Sequence, residues 1–250
     1  MNKFYNFISN NNKSELYLYG AIVSEKWSED DVDFKDFKTA IDKITDNSTL
    51  EVYVNSPGGE VFVTQSIISL LKRAKATKNI TLNCYIDGLG ASCASWLPML
   101  ADNLYIYNGS ILMLHKPLSM VWGNANEMRK EIELLDKIEN SEMIPMYMSK
   151  AKETLTEDIL KDMLSEETWL TSDEIENYFN VTRLEDDKKM VASVDKELFD
   201  QYKNVPESLK DTLKDTKEEV DQKAIEVVED LKEKELNNKK KLLELELNLL

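Results

Sequence analysis

A serine set among small residues, a single histidine and a Pro-Gly-Gly turn are the parts of this chain whose residue types could do chemistry. Ser92 lies in the run Gly88-Leu89-Gly90-Ala91-Ser92-Cys93-Ala94-Ser95. Small neighbours leave its hydroxyl uncovered and let a substrate carbonyl approach. A serine hydroxyl hardly ionises at neutral pH, so it needs an adjacent base. His115, the only histidine, ends the apolar run Ile111-Leu112-Met113-Leu114, and imidazole is the side chain that titrates near neutrality. The base in turn needs an orienting acid. Glu166 and Glu167 stand beside Trp169, and Asp173 follows closely. In Ser56-Pro57-Gly58-Gly59 proline fixes one angle and the glycines let backbone amides turn toward a ligand, where they can stabilise an oxyanion. The Cys93 amide, one step past Ser92 at a helix start, can point to the same place. The chemistry these groups suit is nucleophilic attack on a carbonyl.

Each part also has a plainer role. Ser92 could be an ordinary helix N-cap, His115 could hydrogen-bond a loop, and Pro-Gly-Gly turns are common. Adjacent glutamates usually form a solvated surface. Cys93 could itself be a nucleophile, or pack as a small apolar residue; Ser95 reads as buried in the helix.

Positioning these groups requires strand ends. Residues 15–23, 50–54, 80–86, 104–107 and 110–114 read as strands, with Asn108-Gly109 as the turn between the last two. Residues 33–44 and 61–76 carry helical spacing, and a short helix is expected from Ser92 to Leu100. Strands that alternate with helices imply a largely parallel sheet with crossover helices, and open sheets of this kind place sites at strand ends. A long helix is expected over 124–152, kinked or interrupted by Pro145. Helices capped by Thr156 and by Thr171 or Ser172 follow. After Pro206 the composition turns to Lys, Glu, Asp and Leu, with Leu213, Val220 and Val227 at seven-residue spacing. A charged helical tail, coiled-coil-prone or solvated and frayed, is the expectation there. The domain plan is a polar segment over 1–14, a catalytic domain over 15–200 and this tail over 206–250.

The 250 residues are 42% hydrophobic and carry a net charge of −16. Such a charge is a poor match for nucleic acid, whose phosphates need Lys and Arg, and for an anionic membrane surface. Cys84 and Cys93 are the only cysteines, too few and wrongly spaced for a zinc site or a disulfide framework. No signal-peptide h-region opens the chain, and no stretch is long enough to span a bilayer. The expected compartment is the cytoplasm, and no metal or organic cofactor is expected.

Taken in order, the Ser-Pro-Gly-Gly, Gly-Leu-Gly-Ala-Ser-Cys-Ala-Ser, Met-Leu-His-Lys-Pro and Glu-Thr-Trp-Leu segments resemble the ClpP-type serine peptidases. They look most like the ClpP-like head-maturation (prohead) proteases of tailed bacteriophages. The resemblance covers roughly residues 15–190, and four segments in family order make it specific. It implies an α/β, ClpP/crotonase-like fold of superhelically stacked β-α-β turns with a protruding helical handle, for which 124–152 is suited. Residue by residue, it implies Ser92 as nucleophile and His115 as general base. It also implies Gly59 and Cys93 as the oxyanion-hole amides, and Glu167 where bacterial members carry Asp. Glu166 and Asp173 stay open as alternatives for that acid. It further implies a ring-forming homo-oligomer acting on polypeptides, here capsid or scaffold proteins in the host cytoplasm or an assembling prohead. The short lead-in before the first strand leaves the bacterial family's axial loops absent or altered. Two other functions fit the same segments: the proteolytic core of an ATP-dependent Clp-like protease, and a non-catalytic capsid or scaffold protein. The fold also hosts acyl-CoA chemistry in the crotonases, but those enzymes do not need this Ser–His pairing.

Overall fold

The computed structural model describes residues 5–10, 12–25, 32–185 and 202–206. By packing, the chain divides into a first unit, Met1–Val205, and a second, Pro206–Leu250. The expected charged tail, apart from Pro206, lies outside the described residues.

Alternation of apolar and polar residues dictates the sheet. Strands β2 (Lys13–Leu18), β3 (Thr49–Ser56), β4 (Thr81–Ala91) and β5 (Asn103–Tyr107) run parallel in that order. Their register aligns Leu18, Val54, Ile86 and Ile106, all buried, on one face. The neighbouring register row aligns Tyr17, Tyr53, Tyr85 and Tyr105 on the other. Successive tyrosine rings stack 4.7 Å apart. Such pairs contribute about 0.5–1.5 kcal/mol each beyond their buried area, so this face carries its own packing.

Helices α1 (Phe34–Asp42) and α2 (Val61–Lys78) pack on one another, and their buried faces join the core of the sheet. Asp33 caps α1 by accepting the Asp36 amide at 2.8 Å. The handle is helix α3 (Ala125–Ile138), started by an Asn124–Glu127 capping box, and within α3 only Ile138 is buried. Two shorter helices, α5 (Glu157–Glu166), capped by Thr156, and α6 (Ser172–Tyr178), capped by Thr171, complete the body. This is the α/β arrangement of β-α-β turns with a handle that the resemblance implies.

Several local expectations change. The long helix is interrupted near Pro145, one of the two expected outcomes, rather than kinked. It runs as α3, a π-turn over Glu139–Met143 and α4 (Ile144–Met148). Proline has no N–H and its ring crowds the carbonyl four residues earlier, and Ser141 lies inside the widened turn. The segment expected as a polar lead-in contains β1 (Tyr5–Asn10), antiparallel to β2. Strand β6 (Ile111–Leu114) does not form a hairpin with β5; each pairs in parallel with a different part of β4. Strands β7 (Thr168–Leu170), paired with β6, and β8 (Thr182–Leu184), paired with β5, have three residues each. That is too short to show a period.

Candidate active site

Ser92 is delivered by a bend in β4. Its first part pairs with β5 as far as Ile86, and its last part, Leu89 to Ala91, pairs with β6. Against β3 the register slips, since Val54 faces Ile86 while Ser56 faces Gly90. The Asn55 carboxamide oxygen accepts the Leu89 amide at 3.0 Å, so the irregular stretch is not left unsatisfied. Strand therefore continues through Gly88-Leu89-Gly90, where a loop was expected. The expected helix over 92–100 is instead two 3-10 turns, Ser92–Trp96 and Pro98–Leu100. Ser92 sits at the corner with φ 52°. A left-handed non-glycine residue costs about 1–3 kcal/mol and persists only where its surroundings over-determine it. Ser95, fully buried, donates its hydroxyl to the Ser92 carbonyl and lies 2.5 Å from the Tyr147 hydroxyl on α4.

The Ser92 hydroxyl caps no helix: its Oγ lies 2.6 Å from His115 Nε2. His115 follows β6 directly, and the antiparallel register of β6 and β7 pairs Leu114 with Thr168. Continuing that register by one step would set Glu167 opposite His115, and its charge acts on the ring. The Lys116 amide donating to the Leu164 carbonyl at 3.0 Å ties the strand's exit to the last turn of α5. Burial pushes the His115 pKa down, opposed by the charge of Glu167. The ring is thereby kept neutral near pH 7, with Nε2 able to accept the serine proton. Both His115 and Glu167 are 9% exposed.

Of the three candidate acids, the structure brings only Glu167 to the ring. It occupies the C-terminal position of α5 in a left-handed conformation, φ 53°. Glu166 is exposed, and Asp173 pairs with Arg183 on the surface. Among the described residues no hydrogen bond joins Glu167 to His115. Glu167 Oε1 instead accepts the Asn204 amide at 2.7 Å, with Trp169 Nε1 at 3.4 Å.

The Pro57-Gly58-Gly59 turn lies against the serine corner. A Cβ on Gly58 would come 2.8 Å from Ser92 Cβ, and one on Gly59 only 2.1 Å from the Ile22 carbonyl oxygen. Both positions need glycine for closeness of approach. Gly59 and Cys93 line the same cavity of about 130 Å³ as Ser92 and His115. The Cys93 thiol is buried, accepts a hydrogen bond from Thr64 at 3.1 Å, and has its pKa pushed up to about 11 by burial. Its thiolate is therefore scarce at neutral pH, which removes it as a rival nucleophile. In this state the Gly59 amide also contributes a hydrogen bond to that sulfur.

The same cavity holds Tyr202, which no local pattern in the sequence marks. Its role, like that of the Ser95–Tyr147 contact, depends on a pairing far along the chain. A larger cavity of about 660 Å³, between α2 and α4, contains none of the residues discussed above as chemical candidates. Among the described residues no cluster of His, Cys, Asp or Glu could hold a metal ion, and no helix is long and apolar enough to cross a membrane.

These elements define an α/β protein that brings a serine and a neutral imidazole to one cleft from neighbouring strand ends. The family model of the Clp protease matches residues 33–182, more than half of the chain, and the chain belongs to that family. No curated protein matches it. Membership makes a peptidase, a hydrolase of peptide bonds, the class of activity against which the cleft is to be read.

Proposed function

We propose that this chain is a serine endopeptidase in which Ser92 attacks the peptide carbonyl and His115 is the general base. The observation that carries the reading is the 2.6 Å contact between Ser92 Oγ and His115 Nε2 at a strained strand end. As Oγ bonds to the carbonyl carbon, Nε2 takes its proton. The tetrahedral oxyanion is met by the amides of Cys93 and Gly59, once the latter is released from the Cys93 sulfur. His115 then protonates the departing amine. Water, deprotonated by the same ring, hydrolyses the acyl-enzyme and restores Ser92. Glu167 stabilises the imidazolium by its charge and orients the ring. No step requires a metal or organic cofactor.

The finer reading is a phage head-maturation protease whose substrates are capsid or scaffold proteins, working as a homo-oligomer in host cytoplasm or prohead. Three features support it: the order of the four motifs, a glutamate where bacterial relatives carry aspartate, and the charged composition of residues 206–250.

Labelling with a fluorophosphonate, followed by mapping of the modified residue, tests the chemistry. The expected result is an adduct on Ser92 that disappears in Ser92→Ala and in His115→Ala. An adduct that survives in His115→Ala at the wild-type rate would sink the proposed base.

A further inference from the structure

The described residues end on a short stretch that crosses the cleft, and each of the three proposed catalytic residues meets it. The Tyr202 ring stands edge-on to His115, with centroids 5.5 Å apart, and edge-on to Trp169 at 5.8 Å. Its hydroxyl donates to the Pro57 carbonyl and is in hydrogen-bonding contact with the Ser92 side chain. Two residues on, the Asn204 amide donates to Glu167 Oε1 at 2.7 Å, and its side chain donates to the Glu166 carbonyl at 2.6 Å. Val205 is buried. Polar contacts to both walls of the cleft, with an aromatic ring between them, are how a peptide ligand is held.

We propose that residues 202–205 are an internal ligand of the catalytic cleft, a pseudosubstrate strap that keeps the site closed until it is displaced. The proposal rests on the hydrolytic reading of Ser92 and His115. A substrate carbonyl must come within about 3–3.5 Å of the nucleophile, and the Tyr202 hydroxyl stands in that approach. The strap also holds the Glu167 carboxylate on the Asn204 amide, so displacing it frees that carboxylate to turn to His115. Being part of the same chain, the strap has an effective concentration in the millimolar range, and modest contacts suffice to close the site. It also specifies what the cleft takes: a peptide with an aromatic side chain and a free backbone N–H two residues beyond it.

The test compares rates of Ser92 labelling by a fluorophosphonate in the full chain, in Tyr202→Ala and in Tyr202→Phe. A strap open about 1–10% of the time predicts labelling about 10- to 100-fold faster in Tyr202→Ala. Tyr202→Phe, which loses only the hydroxyl contacts, should fall between. Millimolar acetyl-Tyr-Lys-Asn-Val-Pro, the sequence of 202–206, should slow Tyr202→Ala back toward wild type, and the same peptide with Ala for Tyr should not. Equal rates in all three proteins would overturn the strap. If Tyr202→Ala does not fold, the Phe variant decides by the same comparison. If Ser92 labels in none of them, the hydrolytic reading fails. Peptide binding to Tyr202→Ala, followed by tryptophan emission beside Trp169, then decides occupancy of the cleft by itself: saturable binding upholds it and none overturns it.

Discussion

At the residue scale, the balance on His115 sets a pH signature. Burial lowers its pKa below the ordinary imidazole value of about 6.5, and Glu167 opposes that shift. With the neutral ring as the proposed base, reactivity should be full above that lowered pKa and be lost as pH falls through it. The acid limb of the Ser92 labelling rate should therefore lie below the ordinary histidine range. Glu167→Gln removes the charge that raises the pKa, so the limb should move to still lower pH. The plateau should fall on the order of 10²–10⁴-fold, because the imidazolium loses its stabilising partner. A limb that moves upward, or a plateau that does not change, would take Glu167 out of this role. The types Ser, His, Glu and the Gly-rich turn were legible in the sequence at this scale. The residues alone left Glu166, Glu167 and Asp173 open, and only the resemblance pointed to Glu167, because which carboxylate approaches His115 depends on how β6 and β7 pair.

At the scale of elements, the serine corner is a junction of three: the bent end of β4, the Pro57-Gly58-Gly59 turn before α2, and α4 reaching in through Tyr147 to Ser95. The turn has no slack. A methyl group on Gly59 would press on the Ile22 carbonyl, whose oxygen already accepts the Glu60 amide at 2.8 Å. Gly59→Ala should displace the turn, lower the thermal midpoint and slow acylation on the order of 10²–10³-fold, the usual cost of one lost oxyanion donor. Labelling rate and thermal denaturation measured on the same variant check both effects; a wild-type rate would place the Gly59 amide outside the site. The bend in β4 explains why the strand and helix boundaries read from sequence fell short. Gly88-Leu89-Gly90 has turn composition, yet it remains strand because β3 on one side and β6 on the other supply its pairing.

At the scale of the molecule, exposed apolar residues gather on and before the handle. Met120 and Trp122 are 99% and 100% exposed, and Ile132 on α3 is 58% exposed. Exposed large apolar side chains left in water favour association, which is the support for the proposed homo-oligomer with the handle at its interface. Trp122→Glu combined with Ile132→Glu should lower the assembled mass measured by sedimentation while the protomer stays folded; an unchanged mass would move the interface elsewhere. The sequence by itself determined the parallel β-α-β succession, the helix cap at Thr156, and the identity of the one available imidazole. These follow from periodicity, capping and residue type, which act over a few positions. Tertiary structure alone decided that Ser92 and His115 meet at 2.6 Å, that β8 joins the sheet edge, and that Tyr202 lies in the cleft. Those depend on sheet register and on contacts between distant segments, and no local spacing encodes them.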